Sequence, residues 1–143
     1  MAERANQKLQ ALAALWEERR AGDRLPARAD LPVSALRPWL GSLALFELRP
    51  RTGPVFRLCG TGLHARFGGE MTGKPITDLE PNVAEPLRKE LESVVAGRKP
   101  RRSRHISKAA ERSLVFHELY LPLAGNGEDA ELVLFASYGE GKA

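Results

Sequence analysis

The sequence predicts an α+β fold: a five-stranded antiparallel sheet, a helical connector on one face, and an amphipathic helix flanking it at the N-terminus. Three observations lead there. Two apolar runs, 43–48 and 55–59, are separated by a turn-forming stretch and therefore pair as a hairpin. Three further segments of strand length, about 101–107, 113–122 and 131–138, follow one another late in the chain. The signals between the two groups are helical. Consecutive strands joined by short turns are antiparallel neighbours, and a helical connector between the second and third strands covers one face of their sheet.

Taken in order, residues 3–20 set Ala5, Leu9, Leu12, Ala13 and Trp16 on one helical face, with Glu3, Lys8, Glu17 and Arg20 elsewhere. Gly22 and Pro26 end that helix. The expected division is an N-terminal amphipathic helix over 1–22 and a single domain over 23–143. Residues 23–32 are a connector, and 33–40 add a short helix before Gly41. The run from Leu43 to Leu48 is a strand, Arg49-Pro50-Arg51-Thr52-Gly53-Pro54 a turn by composition, and Val55 to Cys59 its partner strand. Short helical pieces run from the glycine corner at 60–62 to about residue 80. Asn82 and Glu85 have the spacing of a capping box, and Leu87, Leu91, Val94 and Val95 form the stripe of a helix that stops at Gly97. Ala124-Gly125-Asn126-Gly127-Glu128 is the strongest hairpin turn in the chain.

At 143 residues the chain is sized for one domain. It buries roughly two-thirds of its unfolded surface without needing a disulfide or a metal. One cysteine excludes an internal disulfide and a cysteine-based zinc cage. The N-terminus lacks a signal-peptide core, and no run approaches about 18 apolar residues, so a cytoplasmic protein without membrane insertion is expected. The net charge of +4 is localised: residues 98–108 hold six cations and no carboxylate, and outside them 16 basic residues face 18 acidic ones. Such a stretch is a charged strand edge or a docking site for an acidic partner through Arg101, Arg102 and Arg104. Nucleic-acid binding fits it less well, because it carries no stacking aromatic.

Gly60-Thr61-Gly62-Leu63-His64-Ala65 fits the dinucleotide pattern G-x-G-x-x-G/A. That fingerprint needs a second, parallel strand after its helix, and no strong strand follows before residue 100. A structural corner is the better reading. There Gly60 and Gly62 supply unusual backbone angles, Thr61 caps the helix, and Gly73 belongs to the glycine-rich exit. In Gly68 to Pro75, proline stands where a P-loop needs Ser or Thr. Cys59 ends a buried strand and reads as an inert core thiol. No two of the three histidines have ligand spacing, so no metal is expected.

On the strand 113–122, Val115, His117, Leu119 and Leu121 share one side, and Leu114, Phe116, Glu118 and Tyr120 the other. Val55, Arg57 and Cys59 likewise share a side. An Arg or His facing a semi-apolar pocket suits an anionic or polar ligand; alternatively Arg57 pairs with Glu47 across the hairpin. Arg57, Cys59, Phe67, Leu91 and His117 are the candidates for a ligand pocket. Leu9, Leu12 and Trp16 either cap the sheet or form a homodimer seam.

Two strands, a helical connector, a longer helix and three strands is the order of the PAS fold. The chain resembles the small PAS-type domains found widely in alphaproteobacteria. The likeness rests on Trp16 with Pro26-Ala-Arg, on Leu36-Arg-Pro-Trp-Leu, on Phe56-Arg-Leu-Cys-Gly-Thr, on Phe67-Gly-Gly-Glu-Met-Thr-Gly-Lys and on Leu119-Tyr-Leu-Pro-Leu. It spans about residues 10–138. The resemblance implies a five-stranded antiparallel sheet whose short helices close a pocket, and a role in sensing small molecules, redox state or light, or in docking and dimerising. Such domains are generally not catalysts. The histidine that haem-binding PAS proteins often carry on the longer helix has no counterpart in 83–96, and the cysteine motif of flavin photoreceptors is absent. No cofactor is expected, and an unidentified small-molecule ligand stays open.

The expectation is therefore a stand-alone sensory or protein-interaction module, homodimeric, without catalysis of its own. No kinase, cyclase, phosphodiesterase or DNA-binding output segment is read in the sequence, so a signal would pass to a partner protein by association. Two alternatives stand beside it: a nucleic-acid binder using 98–108, and a small nucleotide-binding enzyme using the glycines of 60–74.

Overall fold

The two apolar runs of the first hairpin and the three late segments become five strands in the computed structural model of the protein. They are β1 (Leu43–Arg49), β2 (Gly53–Cys59), β3 (Arg101–Ala109), β4 (Arg112–Ala124) and β5 (Ala130–Gly139). The structure describes residues 2–109, 112–125 and 130–140. Strand order is β2-β1-β5-β4-β3, and every neighbouring pair is antiparallel. Of the turn expected at Ala124-Gly125-Asn126-Gly127-Glu128, residues 126–128 lie outside the described residues.

This order puts β2 and β3 at opposite edges, so the chain between them has to cross the sheet. It does so as α3 (His64–Phe67), tight turns at Thr61–Leu63 and Ile76–Asp78, and α4 (Pro81–Gly97). Pro81 opens α4, where a missing N–H costs nothing. The helix thus starts before Asn82, and the capping box expected of Asn82 and Glu85 does not form; Glu80 is the capping residue and makes no side-chain bond there. Leu87, Leu91 and Val94 are its buried stripe. The helix runs through Gly97, and Arg98 takes the left-handed turn (φ 56°) with its N–H donated to the Val94 carbonyl at 2.9 Å.

On the other face lies α1 (Ala2–Arg19). Leu9, Leu12 and Trp16 are buried against Leu119, Leu121, Leu123 and Leu134. Trp16 Nε1 donates to the Pro122 carbonyl at 2.9 Å, and Trp39 Nε1 to the Lys8 carbonyl at 2.8 Å. Burying each large apolar side chain contributes roughly 1.5–3 kcal/mol. The stripe proposed as a dimer seam is therefore consumed inside the chain: the sheet's outer face is itself apolar and closes on it first. The short α2 (Val33–Leu36) and its flanking turns cover the rest of that face.

The first hairpin is bulged. Leu45 pairs with Leu58 but Phe46 with Phe56, which leaves Arg57 as the extra residue. One added residue shifts the period-two phase. Phe56 and Cys59 consequently share the inner core, and the expected grouping of Val55, Arg57 and Cys59 on one side fails. Facing the helices, that core is filled by Phe46, Phe56, Phe67, Phe135 and Tyr120, with ring centroids 4.6–6.4 Å apart.

Candidate functional site

Alternation on β4 places Glu118 between Phe116 and Tyr120 on the side facing the helices. A carboxylate there has to be paired, because leaving a charge unpaired in an apolar layer costs several kcal/mol on the order of a whole domain's net stability. Glu118 is 1% exposed, and its partner is Arg66 on α3, 9% exposed. Arg66 Nε donates to Glu118 Oε2 at 2.6 Å and Nη2 to Oε1 at 3.2 Å, the two-pronged geometry that suits guanidinium and carboxylate. Ser137, the residue opposite Glu118 on β5, donates its hydroxyl to Oε2 at 2.8 Å.

The guanidinium carbon lies 4.9 Å from the Phe67 ring centre and 6.0 Å from that of Phe116. Its third nitrogen, Nη1, is buried without a partner among the described residues. Arg66 belongs to the lining of a groove of about 510 Å³ between α3, the start of α4 and β3, together with Phe67, Leu79, Asn82, Val83 and His105. That volume lies in the range of small-molecule sites. Burial holds the His105 imidazole below its usual value, with the Arg66 charge adding to the effect and Glu118 opposing it. The ring is therefore mainly neutral at pH 7. Burial, aided by the Glu118 charge, pushes the Tyr120 hydroxyl well up. The groove is thus lined by Arg66, whose buried Nη1 is unused, by a neutral imidazole, by apolar walls, by the Glu80 carboxylate and by the positive end of α4. This is equipment for holding a ligand with an acceptor oxygen.

Of the five candidates for a ligand pocket, Phe67 alone lines this groove. Leu91 is fully buried core, and Cys59 is buried with its thiol pushed up by desolvation, which keeps it unreactive. Arg57 is exposed on the bulge and bonds Glu47 Oε1 at 3.1 Å. Bonding to Arg49 first, with Arg57 adding, holds the Glu47 carboxyl below its usual range. His117 faces the opposite side of the sheet, its Nε2 2.7 Å from Glu140 Oε2. Its parity with Leu119 and Leu121, which pack under α1, excludes it from a pocket on the helical face. Sequence reasoning passed over Arg66, Glu118 and Ser137. The available signal was a carboxylate flanked at both alternate positions by aromatics.

The corner is structural for a different reason than expected. Gly60 has ordinary angles (φ −68°, ψ 152°), and Thr61 makes no capping bond. What requires glycine is space: a Cβ at Gly60 would stand 2.5 Å from the Gly41 carbonyl oxygen, and one at Gly62 2.7 Å from the same atom. Gly73 does need a positive φ (86°), and its N–H reaches the Phe56 carbonyl at 2.7 Å. Residues 73–75 thereby cover part of the free edge of β2. The strand before Gly60 belongs to an antiparallel hairpin, so the dinucleotide fingerprint lacks its parallel unit.

The three arginines expected to dock a partner are split. Arg101 points to the helical face and pairs with Glu90 at 2.5 Å, Arg102 bonds Asn6 Oδ1 at 2.7 Å near α1, and Arg104 has no partner among the described residues. No group of three metal-ligating side chains occurs among the described residues, and no helix there is long and apolar enough to cross a membrane.

Comparison with solved structures finds the same architecture in three PAS-type or sensor proteins. The PAS domain of Bordetella pertussis BvgS is 16% identical, with 68% of this chain and 74% of that one covered and a TM-score of 0.54. A sensory box sensor histidine kinase from Vibrio cholerae is 20% identical, with 78% and 91% covered and a TM-score of 0.52. A PAS domain from Colwellia psychrerythraea is 14% identical, with 74% and 91% covered and a TM-score of 0.52. At these identities the likeness concerns the fold. Comparison with curated proteins finds no match. The model of the PAS domain matches residues 4–136, from within α1 to within β5, in keeping with the strand order and the helical crossing. The chain belongs to the PAS domain family.

Proposed function

We propose that this domain is a sensory module that holds a small molecule bearing an acceptor oxygen in the groove beside Arg66, and hands the signal to a partner protein. The observation that carries this is Arg66 itself: it belongs to the groove lining, and its buried Nη1 has no partner among the described residues. A buried donor without a partner costs about 1–3 kcal/mol, a cost that a ligand oxygen would relieve. The ligand would touch α3, α4 and β3 together and shift the population among arrangements of the helical layer. At the outer edge of β3, Arg104 and the neighbouring Arg102 support docking of an acidic partner.

The test is an NMR titration of the full chain with citrate and with inorganic phosphate, alongside a pull-down using immobilised protein. Shifts concentrated at Arg66 Nε–H and at residues 79–83, lost in Arg66→Lys, are expected for at least one anion. An absence of shifts there, together with no partner recovered, overturns the proposal.

A further inference from the structure

A second concavity lies on the outer face of the sheet, away from the Arg66 groove. There α2 and its flanking turns lean over β1 and leave a crevice of about 190 Å³. Leu43, Leu45 and Leu134 belong to the outer core and contribute to its lining. Three of the four large apolar side chains exposed among the described residues also line it: Val33 (51%), Leu40 (39%) and Leu58 (46%). Scattered exposed apolar residues need no explanation, but three converging on one hollow do. The bulge helps to create it. By taking up Arg57, it keeps Leu58 opposite Leu45 on the outer face, at the uncovered end of β2.

One charged side chain, Arg28, stands in this lining. Its Nη1 donates to the Leu31 carbonyl at 2.7 Å, which fixes the guanidinium while other donors remain available. The Thr72 hydroxyl is already committed to Glu70 at 2.7 Å. We infer that the crevice binds a small amphiphilic carboxylate, with its apolar chain or ring among the leucines and its carboxylate on Arg28. Size sets the chain. An apolar cavity of about 150 Å³ accepts benzene, so this one suits about six to eight carbons. A longer chain would have to leave the leucines for water. Arg28 selects the head group, because guanidinium and carboxylate match in a two-pronged bond.

Straight-chain carboxylates from butanoate to dodecanoate, with the matching alcohols, test this by calorimetry and methyl NMR on the full chain. Affinity is expected to rise about fourfold per methylene and to level off beyond about eight carbons. Methyl shifts should centre on Val33, Leu36, Leu40 and Leu58. Arg28→Gln should bring each carboxylate down to the affinity of its alcohol while leaving the alcohols unchanged. Leu58→Lys, at an exposed position, should weaken both series.

The inference is overturned if octanoate at 10 mM, a concentration on the order of a weak millimolar dissociation constant, moves none of these methyls. It is equally overturned by affinity that climbs without a break to dodecanoate, or by carboxylate binding that ignores Arg28→Gln. Methyl shifts at Leu79 and Val83 instead would move the ligand to the Arg66 groove and leave this crevice without a role. Because the two sites share no lining residue, either proposal can fail without the other.

Discussion

Replacing Glu118 by leucine strands the guanidinium of Arg66 in the inner core. The pair is nearly water-free, with side-chain exposures of 4% for Arg66 and 1% for Glu118, and the change removes both Arg66 bonds and the Ser137 bond. Breaking a buried pair by removing one partner costs about 3–5 kcal/mol. A chain of this length has roughly 5–15 kcal/mol in total, so the variant loses a large fraction of its stability. At roughly 3–4 °C per kcal/mol for this size, Tm falls by about 10–20 °C. Removing both charges, as Arg66→Met with Glu118→Leu, leaves no stranded ion. That double variant is expected within about 2 kcal/mol of the parent, because apolar replacements of whole buried pairs are often neutral. The coupling energy from the cycle then exceeds about 2 kcal/mol. Urea unfolding followed by Trp16 and Trp39 fluorescence measures all four corners, given equal m-values. A single variant costing less than about 1 kcal/mol, or a double variant whose loss is the plain addition of the two singles, would refute the reasoning. The pair would then behave as a water-exposed one.

Three further outcomes follow from the geometry. Gly60→Ala drives a Cβ into the Gly41 carbonyl and should cost about 1–3 kcal/mol. Gly41→Ala meets nothing within 4 Å and should change stability by less than about 0.5 kcal/mol in urea unfolding. Leu12→Ala should lower stability by about 2–5 kcal/mol, with no change in subunit number by light scattering, since Leu12 is spent inside the chain. His105 has its folded-state value held below the ordinary 6.5 by burial. The unfolded chain therefore binds the extra proton first, and stability falls as pH drops below about 6.5 toward that depressed value. Comparing Tm at pH 7.5 and 5.5 should show a smaller loss for His105→Asn than for the parent, and equal losses would contradict it.

Much of the fold was legible because its signals are local. The hairpin, the late strands and the stripe of Leu87, Leu91 and Val94 each repeat at the period of their own element, and burial of one face enforces that repeat. The site was less legible. Arg66 and Glu118 are 52 residues apart, and Glu118 and Ser137 are 19 apart. No spacing rule links residues brought together by a helical crossing and a strand register. His117 was misplaced because alternation tells which residues share a side without telling which side meets the helices. Arg57 was misplaced because a single unpaired residue reverses the phase beyond it.

By itself, the sequence determined the order and type of the elements, the two apolar faces of the sheet, and a structural rather than nucleotide-binding role for the glycine corner. Tertiary structure decided the rest. It chose which face took α1 and so used up Leu9, Leu12 and Trp16, and it placed the bulge at Arg57. It also joined a charge on α3 to one on β4. The physical reason is range: periodicity acts over one or two turns, whereas desolvating an ion or closing a hydrophobic face depends on whatever distant segment arrives there.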